Sequence, residues 1–164
     1  MLKTRSLVNA VCDDLETNGY VIPSRWPPQP GIICLHKEKS RLILDCHGEE
    51  FYLPPSQRKS KHEQVRAMDE QEAAHCFALS FVKAASRLYG NDWKAEQDDI
   101  LGLVFPYTES FWRPIKPLKE AVDKLGIALL LVRPDHSVMK YSLAHHAQKI
   151  FRDRLLTSSA ERKP

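Results

Sequence analysis

Two residues with catalytic chemistry stand at the end of a short apolar run. Asp45 and His47 follow the run 42–44, and alternate residues of a strand point to the same face. A carboxylate can hold a divalent cation, and an imidazole can act as a general base or as a metal ligand. The spacing predicts that the two side chains share one site. The simpler alternative is a histidine at a strand end that hydrogen-bonds to its neighbour.

A second group of candidates is basic. Segment 56–66 is rich in positive charge, and one more arginine lies in the proline-rich segment before it. If nucleic acid binds, the residues expected at its phosphates are Arg25, Arg58, Lys59, Lys61 and Arg66. The net charge of +3 and the pI near 8.7 permit such binding but do not demand it. The alternative is an ordinary solvated surface.

The elements that must position these residues follow from apolar periodicity. Residues 2–17 carry apolar side chains at three- and four-residue spacing, which predicts a helix that ends at Asn18 and Gly19. A short strand is predicted over 20–22. Two further strands, 32–36 and 41–46, flank a charged five-residue turn, which favours a hairpin. Asp45 and His47 then lie at the end of the second hairpin strand.

The second half of the chain alternates helices with strands. A long helix over 62–89 precedes an apolar strand over 100–105, and a helix over 115–125 precedes a second apolar strand over 127–132. Both strands lack alternation, which is typical of strands buried on both faces. An edge strand over 138–143 and a C-terminal helix over 144–156 complete the prediction. The class is α/β, with a mixed sheet flanked by helices.

Length and composition bound the function. The 164 residues favour one domain over 1–156, with a polar tail over 157–164. No apolar run approaches the ~20 residues of a membrane span, and the N-terminus indicates an amphipathic helix instead of a signal peptide. The four cysteines form no C-x-x-C pair. A reducing cytoplasm is the expected compartment.

The order of elements and the local motifs resemble the PD-(D/E)XK restriction-endonuclease-like superfamily over about residues 5–142. In that family a Pro-Asp opens one strand of a hairpin and an Asp/Glu-x-Lys closes the next. Here PGIICL has Gly31 in place of the aspartate, and RLILDCHG retains Asp45 but has His47 in place of the lysine. LETNGYVI places Glu16 at the family's helical glutamate, and LGLVFP and LGIALLLV match the later strands.

The resemblance implies a metal-dependent deoxyribonuclease site. Asp45 and Glu16 would hold Mg²⁺ or Mn²⁺, and Asp45, His47 and Glu16 would be the catalytic residues. Gly31 offers no ligand oxygen, and a neutral His47 replaces the lysine charge poorly. The implied site is therefore degenerate, with a weakly held metal or none.

Three functions follow from this degeneracy. The first is an inactive or weakly active nuclease-fold protein that binds DNA or other nucleic acid, or joins a DNA-processing assembly. The second is an active endonuclease in which other residues replace the missing ones; the candidates are Glu49, Glu50, Lys59, Lys61, and His62 with Glu63. The third is a structural, protein-binding module. A homodimer is compatible with each, and none needs a membrane.

Overall fold

Two sheets organise the chain. A computed structural model describes residues 1–23, 31–38, 40–58, 60, 64–89 and 99–142. The strands are β1 (Ile32–Lys37), β2 (Ser40–Cys46), β3 (Glu50–Tyr52), β4 (Val65–Ala67), β5 (Asp99–Pro106), β6 (Ala128–Val132) and β7 (Val138–Ser142). The main sheet has the order β1-β2-β5-β6-β7, and β3 pairs with β4 in a separate two-stranded sheet. The predicted α/β class is confirmed.

The main sheet is mixed. β1 and β2 form the predicted antiparallel hairpin, with Ile32 opposite Asp45. β2, β5 and β6 run parallel to one another, and β7 returns antiparallel along β6. The parallel direction gives β2 and β5 a common carboxyl end, which is the edge of the sheet nearest to Asp45 and His47.

Helices cover both faces of this sheet. They are α1 (Thr4–Thr17), α2 (Glu70–Tyr89), α3 (Glu109–Ile115) and α4 (Lys119–Lys124), with short 3₁₀ turns at Pro55–Gln57 and Lys116–Leu118. The apolar residues of α1 pack on one face, and those of α2, α3 and α4 pack on the other. Within the described part of the chain, no helix has the length and apolar content of a membrane span.

The strands of the main sheet differ in how their side chains are buried. Every residue of β5 and β6 is buried, as their continuous apolar sequences predict. β2 alternates instead: Leu42 and Leu44 are fully buried on the α1 face, whereas Ile43 and Asp45 are half-buried on the α2 face. Asp45 therefore lies on the face that α2 covers.

Two predicted elements differ in the structure, and a third cannot be compared. Residues 20–22 make only one isolated bridge, from Val21 to His36, instead of a strand. The helix expected over 115–125 begins earlier, at Glu109, and a 3₁₀ turn over Lys116–Leu118 breaks it into α3 and α4. Pro114 and Pro117 explain this break, because proline removes a backbone donor and crowds the preceding helical turn. The predicted C-terminal helix and the boundary at 156 lie outside the described residues.

The long helix begins at Glu70, later than predicted. A capping box sets this start, because the Asp69 carboxylate accepts a hydrogen bond from the Glu72 N–H at 2.9 Å and the Glu72 carboxylate accepts one from the Asp69 N–H at 3.0 Å. Val65 consequently belongs to β4, where it pairs with Tyr52 of β3. The apolar spacing that includes Val65 therefore predicts a helix where the structure has a strand.

Carboxylates tie the start of α1 to the end of β2. Glu50 Oε2 accepts hydrogen bonds from the Thr4 N–H at 2.8 Å and the Thr4 hydroxyl at 2.9 Å, and the Glu49 carboxylate accepts one from the Leu2 N–H. The Gly48 N–H donates to Thr4 Oγ1 at 3.0 Å. A negative side chain at a helix N-terminus is stabilising because it compensates unpaired N–H groups. This contact places the N-terminal end of α1 beside the carboxyl end of β2.

Candidate functional site

The structure brings Asp45 and His47 into direct contact. Asp45 Oδ1 lies 3.0 Å from His47 Nε2, and the side chains are 19% and 28% exposed, respectively. His47 continues past β2, with its N–H donating to the Val104 carbonyl of β5 at 2.9 Å. The imidazole lies 5.7 Å from the Phe105 ring in a stacked arrangement. The pair is thus built on adjacent parallel strands and reaches the surface at their carboxyl edge.

Ser80 of α2 fixes the proton on His47. The Ser80 hydroxyl donates to the Cys76 carbonyl at 2.9 Å, and its oxygen lies 2.9 Å from His47 Nε2. Because that single hydroxyl proton is already used, Ser80 accepts from His47, and the Asp45 carboxylate accepts as well. Nε2 therefore carries a proton shared between both oxygens.

This cluster has the composition of a hydrolase triad but not its geometry. In a Ser-His-Asp triad the serine and the aspartate contact opposite ring nitrogens, so that the imidazole can take a proton from the serine. Here Ser80 and Asp45 both face Nε2, and Ser80 is only 2% exposed. The arrangement holds an imidazolium in place and does not prepare Ser80 as a nucleophile.

The contacts favour charge on both partners. Burial opposes ionisation of His47, but hydrogen bonds to Asp45 and Cys76 outweigh it and raise the pKa of His47 to about 9. Burial also opposes ionisation of Asp45; the hydrogen bond from His47 and the charges of His47, Arg87 and Lys83 outweigh it and lower the pKa of Asp45. His47 is therefore a cation at neutral pH, contrary to the neutral imidazole assumed from sequence.

Two basic residues of α2 complete the charge balance. Cys76, Ser80, Lys83 and Arg87 recur at three- and four-residue spacing, which places them along one side of the helix. Lys83 and Arg87 are exposed, and their charges act on Asp45. Sequence reasoning missed them. The signal was this polar and basic stripe within a mainly apolar helix, which marks the side of α2 that meets a charged group.

Glu16, the predicted partner of Asp45, lies elsewhere. It is exposed near the end of α1, which packs on the opposite face of the sheet. Lys37, beside the hairpin turn, donates to the Asn18 carbonyl at 2.9 Å, so this end of α1 is at the turn end of the hairpin. Asp45 is at the other end, where α1 begins. The structure therefore separates Glu16 from Asp45 by both the sheet and the length of the helix.

Gly31 shows why an aspartate is missing there. Its φ is +84°, a conformation that strains residues with a side chain. A Cβ at this position would lie 2.6 Å from the Cys46 carbonyl oxygen, closer than real Cβ atoms approach. The Gly31 carbonyl also accepts a hydrogen bond from the Cys46 N–H at 2.7 Å. The backbone path of the hairpin, as folded, requires glycine.

The remaining donors do not fit a magnesium site. Mg²⁺ requires several oxygen ligands, usually including one or two carboxylates. Among the described residues, Asp45 is the carboxylate in contact with His47, from which it already accepts a hydrogen bond, whereas Glu49 and Glu50 bind the N-terminal end of α1. Among the described residues, no group of three histidine, cysteine or acidic side chains is placed to hold a metal ion.

The predicted phosphate-binding residues fall into two groups. Arg58 Nε donates to the Leu53 carbonyl at 2.9 Å, and Arg66 forms two hydrogen bonds to Glu72, at 2.7 and 2.6 Å. Arg25, Lys59 and Lys61 lie outside the described residues, as do His62 and Glu63. The phosphate-binding role of Arg25, Arg58, Lys59, Lys61 and Arg66 stays a prediction.

We expect the Asp45–His47 contact to be visible as a titration. The His47 ring resonance in NMR should titrate near pH 9, and Asp45→Asn should lower that pKa toward the usual value for histidine. A raised pKa stabilises the fold fully below about 6.5, the usual value for histidine, and the stabilisation is lost as pH rises through about 9. The stability gap between wild type and Asp45→Asn should therefore shrink over that window.

The resonance is assigned by its loss in His47→Gln. Glu120→Gln removes an exposed carboxylate of α4 and serves as the control, with no effect on this titration. A His47 resonance that titrates near pH 6.5 in the wild type would show that the pair is not ionised as described.

Restoring the expected aspartate at position 31 should damage the fold. Gly31→Asp and Gly31→Ala should each lower the unfolding free energy by more than the roughly 1–2 kcal/mol of left-handed strain alone. The matched control is Gly19→Ala, which has φ +83° but whose added Cβ meets nothing closer than 3.9 Å. Chemical denaturation of the three variants measures the difference. A Gly31→Asp protein that is as stable as wild type and is stabilised by Mg²⁺ contradicts the expectation.

Comparisons with protein-family models, with curated proteins and with solved structures give no match. Within the described part of the chain, the half-buried Asp45 carboxylate contacts the His47 imidazolium, and the charges of Arg87 and Lys83 also act on it. The sum of these four charges is positive.

Proposed function

We propose that this protein is a restriction-endonuclease-like domain that binds nucleic acid, with a degenerate site of weak or no cleavage. The observation that carries the proposal is the charge balance at Asp45. His47, Lys83 and Arg87 all act on this one carboxylate. Their combined charge exceeds that of Asp45, so the surface of α2 beside Asp45 attracts anions.

Phosphate is the anion that such a site suits best. Lysine and arginine are the residues that most often contact nucleic-acid phosphates, and each neutralised phosphate releases counterions. The same charges oppose a divalent cation, because Asp45 is already compensated by His47. Phosphate binding without an effective metal is the combination expected of a nuclease-like domain that has lost cleavage.

The topology supports the proposed fold. A helix, an antiparallel hairpin and a later strand parallel to the second hairpin strand follow in the order that the resemblance implies. Asp45 lies at the end of that second strand, as the Asp/Glu-x-Lys motif requires. The domain would serve a DNA-processing assembly, in which another subunit supplies the reaction.

Removing the two basic side chains of α2 should weaken nucleic-acid binding. Fluorescence anisotropy with labelled duplex DNA should show affinity that falls steeply between about 50 and 200 mM salt. In Lys83→Gln/Arg87→Gln the slope of log affinity against log salt should be smaller by about 2, because each lost phosphate contact contributes about 0.9. Titrations at several salt concentrations provide the measurement.

The charge-matched control is Lys116→Gln/Lys124→Gln. It removes two exposed positive charges from the 3₁₀ turn and α4, which connect β5 to β6 and do not belong to α2. This control should retain the wild-type slope. Absence of binding at about 50 mM salt, or equal effects of both double variants, would reject the proposal and favour a structural, protein-binding module.

Cleavage should be absent or should not depend on Asp45. Supercoiled plasmid incubated with Mg²⁺ or Mn²⁺ should be nicked no faster by wild type than by Asp45→Ala, because the charge of Asp45 is already compensated. Gel electrophoresis separates the nicked and supercoiled forms. Nicking that Asp45→Ala abolishes would instead establish the alternative, an active endonuclease with relocated ligands.

A further inference from the structure

A pocket adjoins the basic stripe of α2. It has a volume of about 520 Å³ and lies between β3 and the N-terminal half of α2. Phe51, Met68 and Leu79 provide apolar walls, and Gln71 and His75 provide polar edges. This volume is typical of small-ligand sites, which combine apolar walls with a few polar groups.

The aromatic wall of this pocket contacts a cation that is not among the lining residues. The Arg66 guanidinium lies 4.5 Å from the Phe51 ring centroid, in a cation–π arrangement. Glu72 fixes that guanidinium with two hydrogen bonds, and the capping box fixes Glu72. Phe51 is thus preorganised, so a planar ligand can stack on it with little ordering cost.

The pocket and the basic stripe form one continuous surface. Cys76 lines the pocket and also hydrogen-bonds to His47, and Leu79 lies one helical turn before Lys83. Four residues of α-helix span about 6 Å along the axis. An apolar slot for a ring therefore lies about one helical turn from a cationic site for a phosphate.

On the basis of the proposed nucleic-acid binding, we infer that this pocket receives an unpaired nucleobase whose phosphate lies at Lys83. A base combines a planar apolar face with hydrogen-bonding edges, and unstacked bases bind proteins by stacking on aromatic rings. A paired base remains within the helical stack and cannot enter a pocket without being flipped out. The preferred ligand is then single-stranded or locally unpaired nucleic acid.

The test compares a short labelled single strand with its own duplex, in DNA and in RNA form, at fixed salt. Wild type should bind the single strand at least about fivefold more tightly, since stacking of one base contributes about 1–3 kcal/mol. Phe51→Leu and Leu79→Gln should each remove most of that preference, whereas Phe51→Tyr should keep it. Lys83→Gln/Arg87→Gln should weaken binding of both forms.

Val82→Gln is the matched control for Leu79→Gln. Both residues are exposed apolar positions of α2, at 62% and 48%, but only Leu79 lines the pocket. Leu79→Gln keeps the test decisive if Phe51→Leu fails to fold. Equal affinity of wild type for single strand and duplex, or equal effects of Leu79→Gln and Val82→Gln, would overturn this inference alone. Absence of binding to every nucleic acid would overturn the proposed function with it.

Discussion

The alternation of side chains along β2 is the constraint from which the site follows. Leu42 and Leu44 must face α1, because their burial there forms the core on that side of the sheet. The period of two then directs Asp45 and, just past the strand, His47 toward α2. A shift of register by one residue would bury the carboxylate in the α1 core, so the hydrophobic pattern that stabilises the fold also fixes the site.

The second consequence is electrostatic. A carboxylate on the α2 face is partly desolvated, which is unfavourable unless cations compensate its charge. The ring of His47 and the stripe on α2 provide those cations, and Ser80 orients the imidazole. The pair resembles a catalytic dyad in composition, yet both oxygens contact one ring nitrogen. The pair is neutral as a whole, and the additional positive charge beside it comes from Lys83 and Arg87.

The positions where prediction from sequence was wrong have local causes. The capping box at Asp69 and Glu72 sets the start of α2, but the apolar spacing continued upstream of it and extended the predicted helix over β4. Glu16 was paired with Asp45 by resemblance, although α1 lies on the other face of the sheet. Lys83 and Arg87 were not predicted at the site. The spacing of residues along α2 does not show which strand that side of the helix faces, because this depends on how the helix packs on the sheet.

The sequence by itself determined the α/β class, the hairpin that carries Asp45 and His47, and the buried parallel strands, because these depend on short-range periodicity and turns. The tertiary structure alone decided which distant residues surround Asp45. The requirement for glycine at position 31 also depends on the tertiary structure, because it follows from the close approach of the Cys46 carbonyl oxygen. Charges, protons and pockets depend on contacts between elements that are remote in the chain, and periodicity within one element holds no information about them.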